Sequence, residues 1–149
     1  MTEQLQHLQD FLTEAIPSVK DLRFQLTEVS DVCVRAQAPL IENSNHMGTA
    51  FGGSLYSILV LTCYSWLYSK IQPLGGHPQI VIQTGNIIYN KPVAKTISSV
   101  CFAPSEQVWS QFVKVLNKKM KGRLILEAFI EGDEGEELAR LVGTFVVKK

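Results

Sequence analysis

Apolar residues first recur at helical spacing: Leu5, Leu8, Leu12, Ala15 and Ile16 share one face, and Pro17 ends the run. The period then shortens to two. Leu22, Phe24 and Leu26 alternate with Arg23, Gln25 and Thr27, and Val32, Val34, Ala36 and Ala38 alternate with Cys33, Arg35 and Gln37. This predicts two strands, and the break at Ser30 and Asp31 predicts an antiparallel hairpin between them. Beyond Pro39, residues 42–48 are polar and irregular, and Gly52 and Gly53 lead into residues 54–71, SLYSILVLTCYSWLYSKI. A helix apolar on all sides is an enclosed one. Pro73, Gly75, Gly76 and Pro78 end it.

Residues 80–89 and 96–103 read as further strands joined across Lys91 and Pro92. Val108, Phe112 and Leu116 repeat every four residues and predict a helix over residues 105–119. Strands over 124–130 and 138–147 close the chain, separated by the turn signal Gly132, Asp133, Glu134, Gly135. The order αββαββαββ shows no repeat and no linker, so residues 1–149 form one α+β domain. Most connections are too short for parallel crossovers, which predicts a mostly antiparallel sheet wrapped around the apolar helix.

Composition narrows the setting. A chain of 149 residues buries roughly 70% of its unfolded surface, enough for a substantial core. Lys plus Arg and Asp plus Glu each number 14, so there is no basic surplus of the kind a nucleic-acid binder uses. Charged residues make up 19%, below the usual ~25%; this argues against disorder and suggests that much surface is buried, either inside a monomer or against a partner chain. Cys33, Cys63 and Cys101 are odd in number and widely spaced, unlike a disulfide framework or a cysteine zinc site. With no signal-peptide pattern in residues 1–15, the expected location is cytoplasmic. As a helix, residues 54–71 extend roughly 27 Å, short of a ~30 Å hydrocarbon core, and four serines and a threonine make them more polar still. No membrane span is expected. His7, His46 and His77 are scattered, and no metal site is expected.

Residues 43–56, NSNHMGTAFGGSLY, hold the unusual chemistry: Asn43, Asn45 and His46 on a loop, three glycines, then the start of the apolar helix. Unpaired amides at a helix start suit an oxyanion developing on a carbonyl, and glycine permits close approach. The spacing Asn45, Gly48, Thr49, Gly52, Gly53 resembles the N-x-x-G-T-x-x-G-G signature of hotdog-fold acyl-CoA thioesterases. The run from Asn86 to Val93, NIIYNKPV, resembles the strand ending in an aromatic and a proline that follows the helix in that family. The longer run GTAFGGSLY is most similar to the thioesterase-like domain fused behind some bacterial acetyltransferases.

The resemblance implies thioester hydrolysis. The Gly52 and Gly53 amides would polarise the carbonyl, Asn45 would orient substrate or water, and a helix carboxylate would activate the water. That carboxylate falls on Val60, and the histidine many members carry before the glycine pair is Phe51 here. His46 is the leading base candidate, with Glu42 or a partner-subunit carboxylate next. Gly48, Thr49, Phe51, Ser54, Tyr56, Thr84, Asn86, Tyr89 and Pro92 are the expected substrate contacts. The expected substrate is an acyl thioester of coenzyme A or acyl carrier protein, with no separate cofactor, and the expected assembly is a homodimer or dimer of dimers. A non-catalytic acyl-CoA or lipid-binding module is the alternative. A hydratase or dehydratase fits less well, because its carboxylate, about fourteen residues beyond His46, also falls on Val60.

Gly53, Ser54, Leu55, Tyr56 do not complete a G-x-S-x-G elbow. Cys63 reads as a packed thiol. Lys114, Lys118, Lys119, Lys121 and Arg123 form a basic patch, read either as a solvated helix face or as a phosphate-binding surface. The acidic tip at Glu131, Asp133, Glu134, Glu136 and Glu137 reads as a soluble turn.

Overall fold

The computed structural model describes residues 2–149. Helix α1 (Glu3–Ala15) starts where the Thr2 hydroxyl accepts the Leu5 N–H at 3.2 Å, and it buries Leu5, Leu8 and Leu12. Pro17 does not simply stop this helix. It starts a second, α2 (Ser18–Leu22), because its fixed φ suits a first helical turn. Arg23 leaves α2 in the left-handed region, so the strand expected from Leu22 begins at Gln25.

Strands β1 (Gln25–Val29) and β2 (Cys33–Ala38) form the expected hairpin. A single 3-10 turn, Ile41–Asn43, precedes α3 (Gly52–Ile71). Then come β3 (Gln79–Tyr89), β4 (Ile97–Phe102), α4 (Glu106–Lys119), β5 (Lys121–Glu131) and β6 (Glu137–Lys148). The six strands form one sheet in the order β1-β2-β4-β5-β6-β3, with every pairing antiparallel.

Alternation along β5 and β6 sends Leu124, Leu126, Ala128, Ile130, Leu141 and Phe145 into the core with Ile58, Leu59, Cys63, Trp66 and Leu67 of α3. Each buried Leu, Ile or Phe among them contributes about 1.5–3 kcal/mol. This is the long helix wrapped by an antiparallel sheet that the sequence predicts. One part of that expectation needs correcting: α3 is not enclosed all round. Gly53 is exposed, Tyr56, Ser57, Val60 and Tyr64 form a half-buried stripe, and Tyr68 beyond them stacks on Phe11 of α1. The sheet ends at β3, so no further strand covers the stripe. Val81, Ile88 and Tyr89 on that edge strand are also exposed.

At the other side, β4 pairs with β5 only over Ser99–Cys101, and α4 packs beside the first half of β5. Outside the sheet, Arg35 stacks on Phe102, Phe102 leans on Phe129, and Arg140 stacks on Phe129. This layer covers Val100, which is fully buried.

Candidate functional site: the start of the central helix

The loop before α3 is held by its asparagines. Asn43 is buried, its amide donating to the Leu22 and Pro39 carbonyls at 2.9 Å each, while its own carbonyl accepts the Phe51 N–H at 2.7 Å. Asn45 ties the turn to itself. Its Oδ1 accepts from the Met47 and Thr49 amides, and its Nδ2 donates to Thr49 Oγ1 at 2.8 Å. Gly48, at φ +77°, closes the turn in a conformation that favours glycine. His46 and Met47 stand exposed at its tip. The Ala50 N–H reaches the Val93 carbonyl at 2.8 Å, which braces the loop against the segment holding the exposed Pro92.

Phe51 is extended and offers no side-chain cap, and the first amide to find a partner is that of Leu55, on the Phe51 carbonyl at 3.1 Å. Among the described residues, the amides of Gly52, Gly53 and Ser54 have no acceptor. They are the orphan donors of a 20-residue helix and carry the positive end of its dipole.

Aromatic rings explain both glycines. A Cβ on Gly52 would lie 3.2 Å from Tyr89 Cζ and Oη, and one on Gly53 would lie 2.5 Å from Phe51 Cε2. The two rings therefore flank the slot at the turn that carries the open amides. Tyr89 donates its hydroxyl to the Gly52 carbonyl at 2.8 Å. Burial, and then the neighbouring Tyr56, push the Tyr89 phenol above its ordinary range. Tyr56 leans toward β3, where its hydroxyl occupies the space a side chain on Gly85 would need.

Strand alternation separates the expected β3 contacts. Gly85, Ile87 and Tyr89 face α3, whereas Thr84 and Asn86 pair with Thr144 and Val142 on the opposite face. The chain therefore does not bring Thr84 or Asn86 to its own helix start. Gly85 is the neighbour that sequence reasoning passed over. Its signal was a lone glycine inside a strand, which marks a close approach.

Val60 sits in the half-buried stripe and leaves α3 without a carboxylate there. Glu42 is exposed and pairs with Arg23 at 3.4 Å. Cys63 is fully buried, which pushes its thiol well above the usual range, with Cys101 beside it adding to the shift. No group of three or more His, Cys, Asp or Glu among the described residues has metal-binding geometry. Among them, too, no helix is long and apolar enough to cross a membrane.

The basic patch lies elsewhere. Lys114, Lys119, Lys121 and Arg123 line an open cleft of about 1390 Å³ between α4 and β5. Arg123 and Ile125 lie there on the sheet face turned away from α3, and Arg123 donates to Gln83 at 3.0 Å.

Comparison with known proteins decides the family. The model described as "Putative thioesterase (yiiD_Cterm)" matches residues 5–149. The chain belongs to this thioesterase family. A thioesterase-like structure from Shewanella oneidensis, described as a putative thioesterase, is 26% identical with a TM-score of 0.88 and covers 100% of both chains. A protein of unknown function from Chlorobaculum tepidum is 29% identical with a TM-score of 0.91, covering 97% of this chain and 93% of its own. A probable thioesterase from Pseudomonas aeruginosa, at 18% identity and a TM-score of 0.77, covers 96% and 95% of the two chains and shares the fold. No curated protein matches the chain. The fold of the family is the hotdog: an antiparallel sheet around one long helix.

Proposed function

We propose that this member hydrolyses an acyl thioester of coenzyme A or acyl carrier protein at the start of α3. The observation that carries this reading is the set of three open amides, Gly52 to Ser54, held between Phe51 and Tyr89. The thioester oxygen enters that slot. Water adds to the carbonyl carbon, negative charge gathers on the oxygen facing the Gly52 and Gly53 amides, the C–S bond breaks, and the departing sulfur takes a proton. In this reading His46, on the exposed loop tip, takes a proton from the attacking water and returns one to the departing sulfur, and Asn45 fixes the turn that carries it. Gly48, Thr49 and Pro92 act through the loop, Ser54, Tyr56 and Tyr89 through the slot.

Substrate lies against the exposed stripe of α3, and a second copy covers it. An unpaired strand edge bearing exposed Val81, Ile88 and Tyr89 favours pairing of β3 with the same strand of another copy. In such a homodimer, which can pair again as a dimer of dimers, Thr84 and Asn86 serve the interface. The three buried, unpaired cysteines support a reducing, cytoplasmic setting.

The test is incubation with acyl-CoAs of graded chain length while following free thiol. Release that saturates with substrate supports the reading. Binding without release supports instead a non-catalytic acyl-CoA module, which the valine at position 60 favours.

A further inference from the structure

We infer that the first half of β5 takes up an extended, acidic segment of another protein as an added strand, a binding role separate from the thioester site. β6 runs along the whole of β5 on one side, whereas on the other β4 pairs only with Ala128, Phe129 and Ile130. Residues 121–126 are left as an open strand edge roughly 20 Å long. The hairpin fixes which backbone groups line it. The Lys149 N–H reaches the Met120 carbonyl at 3.1 Å, so Met120 faces β6. Backbone groups alternate sides along an antiparallel strand, so Gly122, Leu124 and Leu126 bond β6, while Lys121, Arg123 and Ile125 turn their amides and carbonyls to the open side. Among the described residues, none of these finds a backbone or side-chain partner there.

Helix α4 leaves this edge accessible. It packs on the start of β5, where a Cβ on Gly122 would lie 2.9 Å from Phe112 Cε1, yet every residue from Lys121 to Leu126 borders the cleft of about 1390 Å³ between the two elements. Val108 of α4 and Ile125 of β5, both exposed, offer apolar contact to the two faces of a strand laid in it. Charge selects the occupant. Lys114, Lys119, Lys121 and Arg123 border the cleft, and none pairs with a carboxylate among the described residues; Glu127, the carboxylate on its lining, is held by Arg140 at 3.1 Å. A second copy would bring the same four cations and its own α4 to this edge, so a single segment that alternates acidic and apolar side chains fits it better. Its backbone pairs with Arg123 and Ile125, and its carboxylates meet the cations.

The full chain is titrated with a capped peptide alternating glutamate and valine, and followed by calorimetry and amide hydrogen exchange. In the free protein the Arg123 and Ile125 amides should exchange quickly while those of Leu124 and Leu126 are protected; the peptide should slow the first pair about tenfold or more. The same peptide with lysine in place of glutamate should bind at least about tenfold more weakly. Ile125→Pro removes one edge amide without touching the β6 ladder, as edge strands allow, and should weaken binding of the glutamate peptide about five- to tenfold. Thermal melting confirms that this variant folds; if it does not, the exchange pattern in the parent still decides. A glutamate peptide that fails to bind, that binds without slowing Arg123 and Ile125, or that binds no better than its lysine counterpart overturns the added strand. So does equal affinity in folded Ile125→Pro, or slowing of the same two amides by adenosine 3′,5′-bisphosphate alone, which would give the cleft to a nucleotide.

Discussion

Asn43, buried and holding two carbonyls, does more for the site than its place in a polar loop suggests. Replacing it with alanine leaves the Leu22 and Pro39 carbonyls without their donor and should cost about 2–4 kcal/mol, read as a lower urea midpoint with an unchanged slope. Gly53 behaves differently. The atom its Cβ would meet belongs to the exposed Phe51 ring, which can swing, so Gly53→Ala should leave the melting temperature within a few degrees while narrowing the slot. The cysteines make a third case. Cys33, Cys63 and Cys101 are all buried, and burial pushes the Cys33 and Cys63 thiols up. A disulfide reagent at neutral pH should therefore modify none of them rapidly in the folded protein and all three after unfolding; fast modification of the native chain would contradict this packing.

Elements were legible where one periodicity ran long. β5 and β6 alternate cleanly because one face packs on α3, and their hairpin follows from the Gly132–Gly135 turn. α4 follows from the repeat of Val108, Phe112 and Leu116, and Ser105, where that reading starts it, accepts the Val108 N–H at 3.2 Å. α2 was hidden because five residues are too few to show a period, and alternation at Leu22 continued across it. The open stripe of α3 was hidden for another reason. Tyr56, Val60 and Tyr64 are apolar enough to pass for core, and only the end of the sheet at β3 exposes them. The glycine pair could be read, but not the rings that crowd it, since Tyr89 and Gly52 are 37 residues apart. On the outer face, Arg140 hydrogen-bonds Glu137 and holds its carboxyl below the usual range, with burial opposing. A lowered carboxyl stabilises the fold above its unfolded value, and that contribution fades as pH falls through the folded one. Wild type and Glu137→Gln should therefore differ in melting temperature at pH 7, by a gap that shrinks as the solution is acidified. A gap that does not shrink on acidification would refute the pairing.

For the whole molecule, the unpaired β3 edge and the open helix stripe lie side by side, so one partner can cover both. Two chains of 16.6 kDa give 33.2 kDa, the mass light scattering should report at micromolar concentration. Lysine in place of exposed Val81 should shift the protein toward monomer, because a charge on an edge strand opposes its pairing with another copy. A parent protein that runs as a monomer would remove the shared site.

The account depends most on the open amides at the helix start, and one substitution addresses them. Proline at position 52 deletes the N–H, and Gly52→Ala, which brings the same Cβ to 3.2 Å from Tyr89 but keeps the N–H, is the control against which its rate is read. Position 52 is the first helical residue, where proline is tolerated, and it follows Phe51, whose φ −64° and ψ 133° suit a residue preceding proline. With melting temperature and assembly preserved, the rate of free-thiol release from the best acyl-CoA should fall about 100- to 1000-fold relative to Gly52→Ala, as loss of one oxyanion donor does. A rate in Gly52→Pro equal to that of Gly52→Ala, or no release by the parent from any acyl-CoA, would contradict thioester hydrolysis at this site.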